Sequence, residues 1–397
     1  MERRDFVKAG LWAGSFWILP SFVKAGIPFD VREVAQGKRL LVIQLSGGND
    51  GLNCLVPFRN DLYYKARPNI GLKERSLLKV NSELGFNSCL SFFSELFENG
   101  ELSVYSGVGY PNPNRSHFQS MDIWHSAFTK GAQMNSGWIG RYLDEKNKNL
   151  VSAVELDAYL GLAMKGASTK GLAIQNLEEL KSKIKKIHAA VPPSPTFSAS
   201  GNEELDYLYS TFYDTSAALN YLQDKFNPSK VYGDYPGNEF GQKLKKLAGF
   251  WCAGAEVPVA YLSLGSFDTH AFQKAVQNNL LSTLDSGLKA LVSDLRIAGL
   301  FKDTMILVFS EFGRRASENT SLGTDHGTAN HMYVIGKPVK GGHYGDIPSL
   351  TDLDEGGNLK FTTDFRRVYA TVIEGWLQHA DSKTLLSGDF KTFPVFG

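Results

Sequence analysis

The stretch GTDHGTANH, residues 323–331, carries Asp325, His326 and His331 with one alanine as its only apolar side chain. Carboxylate and imidazole are the donors that zinc, iron and manganese take from proteins. The stretch therefore reads either as a solvated polar loop or as a segment that holds a metal ion. A second group lies upstream in SFDTH, where Asp268 and His270 are separated by one residue. In extended backbone both side chains point the same way, and in a loop both can reach one ion. The same letters also describe an aspartate capping the helix that begins at Ala271. In LVFSEFGRR, Glu311 is followed by Arg314 and Arg315, which suits an ion pair at a sheet edge or a ligand beside guanidiniums that hold an oxyanion. Ser116 in RSHF is placed either as a helix N-cap or as a nucleophile at a helix N-terminus, where anions are also favoured. Asp50 in GGNDGLN lies among turn-forming residues. That stretch lacks both G-x-G-x-x-G and a P-loop lysine.

These residues need elements to position them. Continuous apolar runs over Lys38–Leu45, Leu102–Tyr110, Pro258–Gly265 and Thr304–Ser310 predict strands buried on both faces. Between them lie helical patterns. The clearest runs from Ala271 to Ala298, with Phe272, Val276, Leu280, Leu284, Leu288, Leu291 and Leu295 as an apolar stripe and Gly299 as its C-cap. Buried strands alternating with amphipathic helices predict an α/β fold with a largely parallel central sheet and helices on both faces. In such sheets ligands collect at the carboxyl ends of the strands. Asp50, Ser116 with His117, Asp268 with His270, and Glu311 each follow one of the four runs. The stretch around 147–200, which passes from a basic helical run into Pro/Ser-rich sequence, reads as a surface insertion and linker within a single domain over 26–397.

Composition narrows the partners. With 42 basic and 41 acidic residues, the chain of 397 has no net attraction for nucleic acid or an anionic membrane. A small or uncharged partner is left open, and nothing in the sequence sets an oligomeric state. Cys54, Cys89 and Cys252 lack the paired spacing of a zinc knuckle and read as structural thiols. Residues 1–25 combine Arg3-Arg4, Phe6 and Lys8 with an apolar run that Pro20 interrupts, then Val23-Lys24-Ala25. This resembles a twin-arginine export signal cleaved after Ala25, with an uncleaved anchor as the alternative. It predicts contact with the export machinery and a periplasmic or extracellular destination.

Taken together, LSGGNDGLN, NRSHF, SGWIGRYL, SFDTH, SEFGRR, GTDHGTANHMYVIG and TTDFRRVYATVIEGWL resemble the alkaline phosphatase superfamily. The closest likeness is to a poorly characterised bacterial family of twin-arginine-exported, sulfatase-like proteins. The resemblance implies one or two divalent ions, zinc first, at the strand ends. Asp50 and Glu311 would hold one ion, and Asp268, His270 and His326 the other. Ser116 matches the nucleophile in placement, and Arg314 or Arg315 would hold a non-bridging oxygen. One departure stands out. Many relatives have Asp-His where this chain has Glu311-Phe312, so the first ion lacks a ligand unless Asp325, His117 or His331 supplies it. Neither Cys-x-Pro-x-Arg nor Ser-x-Pro-x-Arg, needed for formylglycine, is present. The resemblance implies a metal-dependent hydrolase of phosphate or sulfate esters. The alternative is a non-catalytic exported binding or assembly protein that keeps the fold with a degenerate metal site.

Overall fold

The computed structural model describes residues 37–129, 134–146, 150–168, 171–188 and 202–396. Residues 1–25, expected to be an export signal, and the Pro/Ser-rich end of the 147–200 stretch lie outside them. Among the described residues no helix is long and apolar enough to cross a membrane.

Among the described residues twelve strands occur in chain order: β1 (Arg39–Leu45), β2 (Leu55–Val56), β3 (Leu77–Lys79), β4 (Gly85–Asn87), β5 (Leu102–Gly109), β6 (Ala153–Glu155), β7 (Leu172–Ala173), β8 (Val259–Leu264), β9 (Thr304–Phe309), β10 (Asn330–Ile335), β11 (Gly342–Tyr344) and β12 (Thr363–Asp364). Nine of them form one sheet in the order β11-β5-β10-β9-β1-β8-β6-β7, with β12 beside β5, while β2, β3 and β4 form a small second sheet. β1 is central and parallel to both β8 and β9, with Val42 opposite Tyr261 on one side and Leu307 on the other. In the large sheet β10 runs against its neighbours β5 and β9. The fold is thus α/β with a largely parallel sheet, as the four apolar runs predicted.

Alternation along β1 divides the core in two. Leu41, Ile43 and Leu45 join one buried layer with Leu244, Trp251 and Leu288. Leu40 and Val42 join the opposite layer with Trp124, Trp138 and Tyr369. Each fully buried aliphatic side chain contributes roughly 1.5–3 kcal/mol, so a central strand apolar on both faces fixes the sheet's position firmly.

Two expectations shift. The predicted long helix spans Gln273–Ile297, and its stripe holds from Leu284 onward. At its start Phe272 and Val276 are exposed, while Gln273 and Gln277 are buried. The reason is local: Gln273 Nε2 donates to Asp50 Oδ2 at 2.5 Å, and Gln277 Nε2 to the Asp50 carbonyl at 2.8 Å. This end of the helix packs on a polar centre. The stretch 147–200 also does more than leave the domain and return. Its β6 pairs with β8, β7 extends the sheet, and Ala153 and Val154 are fully buried.

The antiparallel direction of β10 has a consequence for the site. Parallel strands β1, β8 and β9 end at the edge where β10 begins, so the segment 323–329 is delivered to their carboxyl ends. It pairs there with the segment after β9: Gly313 N donates to the Thr328 carbonyl at 2.9 Å, and Arg315 N to the Asp325 carbonyl at 3.1 Å. Glycines permit this approach. A Cβ at Gly323 would lie 2.3 Å from the His270 backbone, and one at Gly327 2.3 Å from the Arg314 backbone.

Candidate metal centre

Asp268, just beyond β8, is the hub. Its Oδ1 lies 3.0 Å from His270 Nε2 and 3.0 Å from His326 Nε2, and these two nitrogens are themselves 3.0 Å apart. Its Oδ2 lies 3.5 Å from His117 Nε2. Among the described residues, His117, Asp268 and His326 form a group whose ligand atoms all lie within 4.8 Å of one another.

The far side of each imidazole explains why these nitrogens converge. His117 Nδ1 is 2.8 Å from Glu311 Oε1, and His326 Nδ1 is 3.0 Å from the Arg115 carbonyl oxygen. His270 Nδ1 faces Asp325 Oδ1 at 3.6 Å. A carbonyl oxygen only accepts, so the proton of neutral His326 belongs on Nδ1 and its Nε2 presents a bare lone pair. The same assignment holds for His117 against the Glu311 carboxylate. Lone pairs and carboxylate oxygens at such separations repel unless a cation or protons lie between them. His117 Nε2 is buried and has no hydrogen-bond partner at all. Donor atoms around a tetrahedral ion with bonds of about 2.0–2.1 Å are about 3.3–3.4 Å apart, close to the spacing found here. The residues fit a metal ion on these grounds. Carboxylate or carbonyl oxygens behind ligating histidines are also what orients such rings in metal sites.

Arg314 sets the hub's orientation. Its side chain is fully buried, and it donates to the Gly48, Thr324, Gly47 and Phe267 carbonyls as well as to Asp268 Oδ1 at 2.7 Å. Burial acts to raise the Asp268 pKa, but Arg314 and the neighbouring histidines outweigh it and hold the carboxyl at about 2. On His117 the bond to Glu311 outweighs burial and raises the pKa. Asp325 is lowered, first by the Asn319 amide and then by Arg315 and His270.

The remaining expected residues lie elsewhere. Glu311 is fully buried and, besides meeting His117, accepts from Gly47 N at 2.8 Å. Asp50 sits apart, in a buried ion pair with Arg67 Nη1 at 2.5 Å. Asp50 and Glu311 therefore have separate partners where the resemblance had them share an ion. Phe312 packs its ring on His117 and His326, with centroids 4.8 and 4.9 Å away, and so walls the cluster on one side. Arg314, with its donors turned inward, is a positioning residue and not an oxyanion contact. Arg315 is part-exposed and approaches only Asp325, at 3.8 Å. Ser116 is exposed at the start of the helix His117–Ser126, and its side chain makes no capping bond.

Residues 108–386 match the family described as "Protein of unknown function (DUF1501)". The chain belongs to that family. No curated protein matches the sequence. Among solved structures, the chain is similar to a sulfatase from Pseudoalteromonas sp., at 10% identity over 90% of this chain and 71% of the other, with a TM-score of 0.40. It is also similar to the phosphonate monoester hydrolase of Agrobacterium radiobacter, at 10% identity over 89% and 78% of the two chains, TM-score 0.39. A third similar structure is a protein in the alkaline phosphatase superfamily from Vibrio parahaemolyticus, at 10% identity over 88% and 72%, TM-score 0.35.

In this DUF1501 chain, sequence reasoning treated His117 only as a substitute ligand and passed over Arg67 and Gln273. A signal existed for two of them. His117 follows a buried strand and opens a helix, and Gln273 with Gln277 puts two amides one turn apart beside an apolar stripe. Arg67, in YYKARPNI, lies in no pattern that predicts burial.

Proposed function

We propose that this DUF1501 protein is a metal-dependent hydrolase of phosphate or sulfate esters. We further propose that it is exported through the twin-arginine route and acts outside the cytoplasm on a small-molecule or glycan ester. One observation carries the reading: three imidazole Nε2 atoms lie 3.0–3.5 Å from the Asp268 carboxylate, and the His117 and His326 rings are each held from behind by an oxygen. Asp268, His270, His326 and His117 would hold the ion, with zinc first on donor chemistry. A bound divalent ion supplies Lewis acidity and neutralises charge on the transferring group.

The chain's own residues do the rest. Arg314 holds Asp268 in register, Glu311 and Asp325 set the His117 and His270 rings, and Phe312 keeps water from one side of the cluster. Ser116, exposed beside His117 at the positive end of a helix, is the candidate nucleophile. Arg315 is the side chain available to hold a non-bridging oxygen.

A specific feature favours a second reading. If His270 joins His117, Asp268 and His326, the four side chains would occupy all four positions of a tetrahedral ion, whereas catalytic zinc keeps a position open. That favours an exported binding or assembly protein. Metal analysis after native purification comes first, since less than about a tenth of an equivalent of transition metal would sink the metallohydrolase reading. Hydrolysis of aryl phosphate and aryl sulfate then separates the two. Turnover supports the hydrolase, and none by metal-loaded protein supports the binding protein. Equal turnover by wild type and Ser116→Ala removes Ser116 as nucleophile.

A further inference from the structure

A cleft of about 800 Å³ opens beside the metal centre at the carboxyl ends of β1, β6 and β8. Three of its lining residues tie it to the cluster. Ser46 directly precedes Gly47, whose N–H is held by Glu311; Ser266 lies two residues before Asp268; and Met121 is one helical turn beyond His117. A group attached to an ester held at Asp268 would extend into this space.

The chemistry of the walls selects the occupant. The cleft's lysine is already paired: Lys243 Nζ lies 2.6 Å from Asp157 Oδ1 and 2.8 Å from Glu239 Oε1, which leaves the three side chains with one negative charge in excess and nothing to attract an anion. Glu155 is buried, which raises its pKa to about 8 and keeps it neutral under ordinary conditions. On the floor, Gln44 Oε1 is shared by the Tyr261 hydroxyl at 2.5 Å and His125 Nε2 at 2.9 Å. At the rim Tyr159 is 66% exposed, a large ring left uncovered next to hydrogen-bonding walls. Among the described residues the cleft has no unpaired cation for a second anionic group, and its largely apolar lining is interrupted by the hydrogen-bonding side chains of Gln44, Gln175 and Asn238, which an acyl chain would leave unpaired. Neutral donors and acceptors under an exposed aromatic face suit hydroxyl groups arrayed on a ring.

We infer that this cleft is a subsite for a neutral polyhydroxylated ring, a sugar, which forms the alcohol side of the ester. Its role in catalysis rests on the hydrolase reading, whereas its existence as a binding site does not. Saturation-transfer NMR on the metal-loaded protein with the methyl glycosides of glucose, galactose, mannose and N-acetylglucosamine tests it. Transfer to at least one glycoside is expected, reduced at least about five-fold in the double variant Tyr159→Ala/Gln175→Ala, which changes two exposed lining residues. No transfer to any of the four, or equal transfer in wild type and variant, overturns the subsite. Turnover of 4-nitrophenyl phosphate and 4-nitrophenyl sulfate is measured on the same preparations. Sugar transfer without turnover sinks the hydrolase reading and upholds the subsite, while turnover without transfer does the reverse.

Discussion

His117 Nδ1 lies 2.8 Å from Glu311 Oε1, and Glu311 is fully buried while its other contacts are the Gly47 N–H and the Ser310 hydroxyl. The carboxylate thus fixes which nitrogen of His117 carries the proton and leaves Nε2 free to face Asp268. An amide oxygen at the same place accepts less strongly and donates no negative charge to the ring. Glu311→Gln is expected to weaken metal binding by roughly 10- to 100-fold, read by competition with a chromogenic chelator. Unchanged affinity would show that Glu311 does not act on the ligand.

Arg67 is the only cation bonded to Asp50 among the described residues, and both side chains are essentially inaccessible to solvent. Arg67 also donates to Asn53 Oδ1 and to the Ala316 and Arg315 carbonyls. Removing one member of such a pair leaves the other charged and buried, which typically costs about 3–5 kcal/mol. Arg67→Ala is therefore expected to lower unfolding free energy by that amount in urea titration. The double variant Arg67→Met/Asp50→Asn should recover part of it, and a single variant as stable as wild type would refute the account.

The sheet was legible because strands buried on both faces spell continuous apolar runs, and β1, β5, β8 and β9 do so. The antiparallel β10 was not, since direction is a property of pairing and MYVIG reads alike either way. The short β6 and β7 sit in sequence whose local composition suggests a surface excursion. At the site, Asp268 and His270 stood out by their types and their place after β8, and His326 by its polar stretch and the family resemblance. The orientation of the two rings was not legible, because it depends on Asp325 and the Arg115 carbonyl, which reach His270 and His326 from other parts of the chain. The inward turn of Arg314 was equally invisible. A guanidinium with five hydrogen bonds to backbone carbonyls and Asp268 cannot be told from an exposed one by sequence alone.

Metal stoichiometry follows from the same partners. Asp50 already has a buried guanidinium on Oδ2, Glu311 accepts two N–H groups on Oε1, and Phe312 offers no donor atom. One ion per chain is expected from elemental analysis of natively purified protein. A Phe312→Ala variant is expected to bind that ion more weakly, because the two imidazoles lose the ring that packs them, and to be about 3–5 kcal/mol less stable. Two ions per wild-type chain would refute the assignment of Asp50 and Glu311 to protein partners.

Glu155 makes stability depend on pH in a direction opposite to an ordinary paired carboxylate. Burial raises its pKa from 4.5 to about 8; the Gly161 N–H, 2.5 Å from Oε2, opposes the shift without overcoming it, and Asp157 and Lys243 act in opposite senses. Between pH 4.5 and about 8 the folded protein holds this proton and the unfolded chain does not. Fewer protons bound in the unfolded state means that stability falls as pH rises. The contribution is therefore fully present below about pH 4.5 and is lost progressively as pH rises through about 8, amounting to at most a few kcal/mol. Glu155→Gln keeps an oxygen for the Gly161 N–H and cannot ionise. Urea titrations at pH 5 and pH 8.5 should show the wild type losing more stability between the two than the variant, with the variant the more stable at pH 8.5. Equal losses in the two proteins would mean that Glu155 is ionised in the folded state and that the wall of the cleft carries its charge.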